Sequence, residues 1–294
     1  MVEQERKWAG TTYGNQWMHA KLIASLRYID VRLLYIFASL FVVPVCLIRN
    51  PSCGIIYRYL RHRIGYSPLR AAWATYVNHC KFSEVVIDKF AMFAGKHFKV
   101  NVVGKEYFDR LERGEEGFMQ FSSHIGNYEI AGFTLRTTKK LMNALVFGGE
   151  KAMVMAGRTK LLAHGNIRMI PISDEMSHLF AINNALANHE IVSMPADRVV
   201  GSPKTISLPF LGKEARFPLG PFQTATMRGL DVVAVNVMKT SRKGYTVYVA
   251  PLAYDKTALR KEQIHQLAES YVAELERHIR QYPTQWYNFF EFWA

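Results

Sequence analysis

Short apolar segments follow one another through the last two thirds of the chain, and they constrain its fold more than any other feature. They cover 98–104, 117–123, 141–148, 167–172, 190–196, 231–239 and 245–252. Apolar or β-branched runs of this length, bounded by turn residues, are typical of β-strands. Helical patterns separate several of them, and such alternation builds a sheet covered by helices. The sequence predicts an α/β fold with a mixed, mostly parallel central sheet.

The helical patterns lie at 71–94, 174–189 and 256–281, and a further helix is expected to begin near Phe222 after a rigid turn at 217–221. The composition changes near residue 100, where an acid-poor, helix-like region gives way to the strand pattern. We therefore expect a helical, membrane-associating region at 1–97 and an α/β catalytic region at 98–294. The chain of 294 residues is ample for a buried core, and the two regions are expected to form one continuous domain.

Residues 33–48 carry no charge and are bracketed by Arg32 and Arg49. This run is shorter than the roughly 20 residues that a helix needs to cross a bilayer, and Pro44 is expected to kink it. It therefore either spans the membrane or enters one leaflet while the arginines reach lipid phosphates. A buried core helix with a basic rim is the alternative. We expect an N-terminal apolar membrane-anchoring helix, no cleaved signal peptide, and the bulk of the protein on the cytoplasmic side.

The formal net charge of +13 predicts an anionic partner, such as a membrane surface, an acidic substrate or nucleic acid. No acidic residue occurs between Asp30 and Glu84, and the basic residues of this stretch lie beside apolar ones. This arrangement favours a membrane and argues against nucleic acid. The three cysteines, at 46, 53 and 80, are too few and too irregular for a disulfide framework or a zinc cluster. A reducing compartment and no bound metal are expected.

The segment FSSHIGNYEIAG, residues 121–132, contains the strongest chemical signal, a histidine and a glutamate separated by four residues. A strand ending at Ser123 places His124 at the carboxyl edge of the sheet, where open α/β folds bind ligands. A helix beginning near Tyr128 places Glu129 in its first turn, within reach of the imidazole. A carboxylate that orients the ring makes His124 a general base. A hydrogen-bonded core histidine is the alternative.

His79 and Glu84 have the same spacing, but they lie inside the amphipathic pattern at 71–94. Positions five apart on a helix point about 140° away from each other. We therefore interpret this second pair as structural.

Three further residues are candidates for substrate contacts. Arg158 lies beyond the strand at 141–148, and Asp197 with Arg198 follows the strand at 190–196, at the same predicted sheet edge. An arginine here is suited to a phosphate or to a developing oxyanion. The alternatives are a surface salt bridge for Arg158 and local pairing of Asp197 with Arg198.

The aromatic segment at 286–293 either packs on the sheet or anchors in lipid.

Together these residues resemble the lysophospholipid acyltransferase superfamily, and specifically its bacterial lipid A biosynthesis branch of lauroyl and myristoyl transferases. The resemblance extends over most of the chain and rests on WAGTTYGN, SHIGNYEIAG, PADRVVG, FLGKEARFPLGPFQTA and YPTQWYNFFEFW. The family's motif of histidine, four residues and an acid falls on His124 and Glu129, with Gly126 and Asn127 between them. Arg158 is the nearest match to an arginine that the family places downstream.

The resemblance implies transfer of a fatty acyl chain to a hydroxyl of a lipid A-like or related membrane lipid, at the cytoplasmic face of a bacterial inner membrane. Because some shorter members of the branch occur outside lipid A pathways, an amino-acid lipid or a polyene-linked acceptor remains open. Acyl carrier protein or coenzyme A would present the acyl thioester as co-substrate, and no cofactor is implied. His124 would act as general base with Glu129 orienting it. Gly126, Asn127, Arg158, Asp197 and Arg198 would contact substrate, and backbone N–H groups near Asn127 or the Arg158 guanidinium would hold the oxyanion.

The glycerophosphate-specific branch carries Phe-Pro-Glu-Gly-Thr, whereas residues 217–221 read Phe-Pro-Leu-Gly-Pro. The missing acid and threonine disfavour a glycerophosphate acceptor. A lysophospholipid acyltransferase and a non-enzymatic basic lipid-binding protein are the alternative functions.

Overall fold

The computed structural model describes residues 16–50, 52–147, 152–162, 165–172, 177–199 and 204–293. Helices occupy the described chain up to Phe93, and the first strand begins at Lys99. The helices are α1 (Gln16–Leu26), α2 (Val31–Phe37), α3 (Val43–Arg49), α4 (Ser52–His62), α5 (Pro68–Phe93), α6 (Lys105–Arg113), α7 (Ala131–Thr134), α8 (Ala152–Leu162), α9 (Ser177–Ala187), α10 (Leu219–Met227) and α11 (Arg260–Gln281).

A seven-stranded sheet in the order β1-β9-β8-β2-β5-β3-β4 forms the centre. Only the contact between β8 and β9 is antiparallel, so the predicted mixed, mostly parallel sheet is confirmed. The strands of the chain are β1 (Lys99–Val103), β2 (Phe118–Ser122), β3 (Met142–Phe147), β4 (Ile167–Ile172), β5 (Ile191–Pro195), β6 (Thr205–Phe210), β7 (Lys213–Pro218), β8 (Asp231–Ser241) and β9 (Gly244–Leu252).

β6 and β7 form a separate antiparallel hairpin that the sequence analysis missed. Leu211 and Gly212 connect the two strands with φ values of 48° and 79°. Two residues with positive φ are typical of the tight turn whose twist matches a hairpin. The prediction of a rigid turn at 217–221 is therefore wrong. Phe217 and Pro218 end β7, and α10 begins at Leu219.

The aromatic segment near the carboxyl terminus packs inside the protein. Trp286 is only 1% exposed, and its ring lies 4.8 Å from that of Tyr59 on α4 and 5.7 Å from that of Phe210 on β6. Phe292 is also buried against Phe217. Of the two interpretations of this segment, hydrophobic packing is the one found.

The apolar run near the amino terminus forms a continuous helix, Val31–Arg49, with a mean hydropathy of 2.4. Asp30 caps its first turn by accepting a hydrogen bond from the Arg32 N–H at 2.9 Å. A wider π-helical turn, Ala38–Val42, ends two residues before Pro44. Such a turn accommodates a proline, whose ring clashes with the preceding turn of a regular α-helix. Only 22% of the most apolar stretch is buried in the protein.

Candidate active site

His124 and Asp197 lie side by side at the carboxyl edge of the sheet. Each comes two residues after a strand, His124 after β2 and Asp197 after β5, and these strands are parallel neighbours. The Asp197 Oδ1 atom lies 2.8 Å from His124 Nδ1, and Oδ2 accepts the His124 backbone N–H at 2.8 Å. One carboxylate thus fixes both the ring and the backbone of His124. It can do so because β2 and β5 are adjacent parallel strands that end side by side.

The carboxylate also fixes the protonation pattern of the ring. Burial raises the pKa of the Asp197 carboxyl, but the neighbouring His124 and Arg198 outweigh it and hold that pKa below its usual value of 3.8. An ionised carboxylate can only accept hydrogen bonds, so His124 Nδ1 carries a proton. Nε2 then keeps its lone pair in the neutral ring, and the imidazole is 25% exposed. This is the arrangement of a general base held by a buried acid.

Glu129 does not orient the ring as the sequence analysis expected. Its Oε1 atom lies 2.7 Å from Arg158 Nη2 and 3.3 Å from Lys89 Nζ, and its Oε2 accepts from Arg158 Nε at 3.3 Å. The three side chains are only 9–14% exposed. The charge of this nearly buried carboxylate is balanced by two cations, and its described contacts are with them and not with the imidazole.

The charge state of Glu129 follows from these partners. Burial raises the pKa of its carboxyl, but Lys89 and Arg158 outweigh burial and keep the pKa below the usual 4.5. Glu129 is therefore ionised at neutral pH and holds two cations beside the His124 loop. Arg158 belongs to α8, the helix that follows β3 in the chain.

Gly126 and Asn127 support the loop from within. Gly126 has a φ of +60° and lies so close to β8 that a Cβ would overlap the Val237 carbonyl. Its N–H donates to the Gln285 carbonyl at 2.8 Å, and the Asn127 N–H donates to the Val237 carbonyl at 2.9 Å. These two N–H groups are already bonded to protein carbonyls, and the expectation that backbone N–H groups near Asn127 hold an oxyanion stays a prediction.

The Asn127 side chain is 2% exposed and donates to the Tyr245 hydroxyl at 3.3 Å. The contacts found for Gly126 and Asn127 are with the protein itself, so their predicted contact with substrate stays a prediction. Arg158 and Asp197 lie in the site, and Arg198 donates to the Tyr287 carbonyl at 3.1 Å.

Two contributors escaped sequence reasoning. Lys89 lies on α5 and reaches Glu129, although nothing in the amphipathic pattern of that helix distinguishes it from a surface lysine. Gln285 binds Gly126 through its carbonyl from the far end of the chain. His79, by contrast, has the structural role that was expected. Its Nδ1 atom lies 2.9 Å from the Thr75 carbonyl oxygen of the same helix.

The described residues contain no group of three His, Cys, Asp or Glu side chains that could hold a metal. The site instead combines a carboxylate-held imidazole with a cluster of two cations. Such a pair can remove a proton from a hydroxyl, and cations nearby can stabilise the negative charge that develops.

Comparison with known proteins identifies the class. The family model for bacterial lipid A biosynthesis acyltransferases matches residues 86–294, which include every residue of the site. The chain belongs to this family. It is therefore an acyltransferase of lipid biosynthesis, as the sequence analysis predicted.

A solved structure that resembles the chain is that of the 1-acyl-sn-glycerophosphate (LPA) acyltransferase PlsC from Thermotoga maritima. It is 14% identical and covers 79% of this chain and 96% of its own, with a TM-score of 0.39. No curated protein matches the chain.

Proposed function

We propose that this acyltransferase works at a membrane and transfers a fatty acyl chain from acyl carrier protein or coenzyme A to a hydroxyl of a lipid A-like lipid. The observation that carries the proposal is the contact of 2.8 Å between His124 Nδ1 and the buried Asp197 carboxylate, at the carboxyl edge of the sheet. This contact supplies a base with a defined tautomer where a substrate can reach it.

The chemistry proceeds in two steps. His124 Nε2 takes the proton of the acceptor hydroxyl as its oxygen attacks the thioester carbonyl, while Asp197 stabilises the imidazolium. The tetrahedral intermediate then collapses, the C–S bond breaks, and the imidazolium returns the proton to the leaving sulfur. No covalent enzyme intermediate is required. Arg158, held in place by Glu129, is the cation that we assign to the oxyanion or to a substrate phosphate.

The apolar helix supports action at a membrane. It leaves large side chains in solvent, with Ile48 87% exposed and Leu33, Leu40 and Phe41 between 60% and 63%. Water-exposed apolar surface of this extent is stabilised by transfer into lipid. Arg32 and Arg49 at its ends suit lipid phosphates, and the overall positive charge suits both an anionic membrane and an acidic carrier protein. We place the enzyme at the cytoplasmic face of a bacterial inner membrane.

The test is thioester consumption by the detergent-solubilised enzyme, with acyl carrier protein and coenzyme A donors and a total membrane-lipid extract. The wild type should consume one donor and yield a lipid heavier by one acyl chain, which mass spectrometry identifies. His124→Ala should lower turnover on the order of 10²- to 10⁴-fold, the usual contribution of a general base.

His189→Asn is the matched control, because His189 also contacts a carboxylate but lies at the opposite edge of the sheet. It should turn over like the wild type. Retained activity in His124→Ala would refute the mechanism. If the acylated product were phosphatidic acid and not a lipid A-like lipid, the enzyme would be a lysophospholipid acyltransferase.

A further inference from the structure

A buried polar network lies between the apolar helix and the active-site loop. At its centre is Asp88 on α5, which is fully buried and accepts hydrogen bonds from the hydroxyls of Tyr35 and Tyr245. Lys239 on β8 completes it, with Nζ 2.5 Å from Asp88 Oδ2 and the side chain 1% exposed. Three regions that are distant in sequence, the apolar helix, α5 and the β8–β9 pair, thus meet at one carboxylate.

One end of this network belongs to the apolar helix. Tyr35 lies on the part of the helix that packs against α5, and its hydroxyl accepts from Lys239 Nζ at 3.0 Å as well as donating to Asp88. The Lys239 ammonium also lies 4.3 Å from the centre of the Tyr35 ring. The seating of the helix on the catalytic domain is therefore tied to a specific polar contact as well as to apolar packing.

The other end reaches the loop between His124 and Glu129. Tyr245 accepts a hydrogen bond from the Asn127 side chain at 3.3 Å. The backbone of Lys239 exchanges two hydrogen bonds, of 2.9 and 2.8 Å, with the Gln285 side chain, whose own carbonyl holds Gly126.

Asp88 also has a direct sequence neighbour in the site. The next residue on α5, Lys89, is the lysine that contacts Glu129 at 3.3 Å. A shift of α5 relative to the apolar helix would therefore reach the loop along two routes, through Asp88 and Tyr245 and through Lys89.

Stability alone does not account for such a network. A buried ion pair recovers little of its desolvation cost, and an apolar cluster of similar volume is often at least as stabilising. Buried polar contacts do fix one arrangement of the groups they join, because any other leaves them unsatisfied. The network therefore has the physical properties of a device that sets a position.

We propose that Tyr35 is a positioning residue, through which the seating of the apolar helix at the lipid surface sets the geometry of the catalytic loop. The chain of contacts runs from Tyr35 through Asp88 and Tyr245 to Asn127. This inference rests on the proposed function and adds its regulation, since turnover becomes dependent on a helix that meets the membrane.

Tyr35→Phe tests the proposal, because it keeps the ring and removes only the hydroxyl. With the enzyme on vesicles of phosphatidylethanolamine and phosphatidylglycerol, kcat should fall about tenfold with KM and vesicle affinity unchanged, since a displacement of 1 Å costs on the order of 10²-fold in rate. Hydrogen exchange of residues 124–130 should become faster. Tyr245→Phe, which breaks the chain of contacts at its other end, should reproduce both effects.

Tyr76→Phe is the matched control. The Tyr76 hydroxyl also ties α5 to the apolar helix, by donating to the Ser39 carbonyl at 3.1 Å, but this contact does not lead to the loop. This variant should keep the kcat and the exchange rates of the wild type.

An unchanged kcat and unchanged exchange in Tyr35→Phe would overturn the proposal, and so would an equal loss in Tyr76→Phe. Should the wild type consume no thioester at all, the proposed function fails, whereas hydrogen exchange of the loop still decides whether Tyr35 positions it.

Discussion

Two histidine–carboxylate pairs join the same two strands, at opposite ends. His124 and Asp197 follow β2 and β5, while Glu116 and His189 precede them, and in both pairs the partners are 73 positions apart, as the strand register requires. The distances are alike, 2.8 Å and 3.1 Å between nitrogen and oxygen. Chemistry and spacing therefore do not distinguish the two pairs.

Burial and backbone contacts do distinguish them. The Asp197 side chain is 1% exposed and also accepts the His124 N–H, whereas the His189 and Glu116 side chains are 57% and 81% exposed. An exposed pair is screened by water and contributes little. A pair with a buried carboxylate fixes the tautomer and orientation of the ring, which a general base needs. A histidine–carboxylate pair thus becomes a candidate catalytic device at one of these two edges of the sheet and not at the other.

The largest effect is expected from a substitution that breaks the buried pair. Asp197→Asn preserves shape but removes the charge that holds Nδ1–H and stabilises the imidazolium, so kcat should fall on the order of 10²- to 10⁴-fold. Steady-state kinetics of acyl transfer measure this. Glu116→Gln, the corresponding change in the exposed pair, should leave kcat unchanged, and comparable losses in both variants would remove the distinction between the edges.

A smaller effect concerns stability and its pH dependence. Because the pKa of the Asp197 carboxyl is lower in the folded protein than its usual 3.8, the carboxylate stabilises the fold above that pH and loses this contribution as the pH falls below it. At pH 7, Asp197→Asn should lower the free energy of unfolding by about 2 kcal/mol, since charged hydrogen bonds are lost.

Urea unfolding of wild type and variant, at neutral pH and below 3.8, measures the difference between them. That difference should shrink in acid. A difference that stays constant would mean that the charge on Asp197 does not stabilise the fold.

The smallest effect is expected for the exposed pair. His189→Asn should change the free energy of unfolding by less than about 0.5 kcal/mol, because the ion pair is solvated and asparagine tolerates the φ of 57° found there. Thermal unfolding at low and high salt measures it. A substantial destabilisation, abolished by salt, would show that the exposed pair contributes more than its burial indicates.

The sequence predicted the architecture well, because alternating strands and helices permit few arrangements. It also placed His124 and Asp197 at one sheet edge, since the carboxyl ends of parallel strands meet there. The hairpin β6–β7 escaped because its strands do not belong to the central sheet. Its available signal was the Leu211–Gly212 turn between two alternating segments.

The partner of His124 could not be found from local spacing. Glu129 is near in sequence, but Lys89 and Arg158 occupy it, and both come from elements remote from the loop. Aligning the starts of β2 and β5 would have paired Phe118 with Ile191, and hence His124 with Asp197. The information lies in the register of two strands that are 73 positions apart in the chain, and a search confined to neighbouring residues does not reveal it.

The segment at 285–287 has a consequence for the order in which this enzyme is made. Its backbone bonds Gly126, forms a bridge between Trp286 and Ile125, and meets the His124 carbonyl. These residues leave the ribosome after all the strands of the sheet, while the apolar helix leaves it long before. Chain synthesis therefore produces the apolar helix early and completes the loop that carries His124 last, so that the loop cannot take its final form until nearly the whole chain has been made.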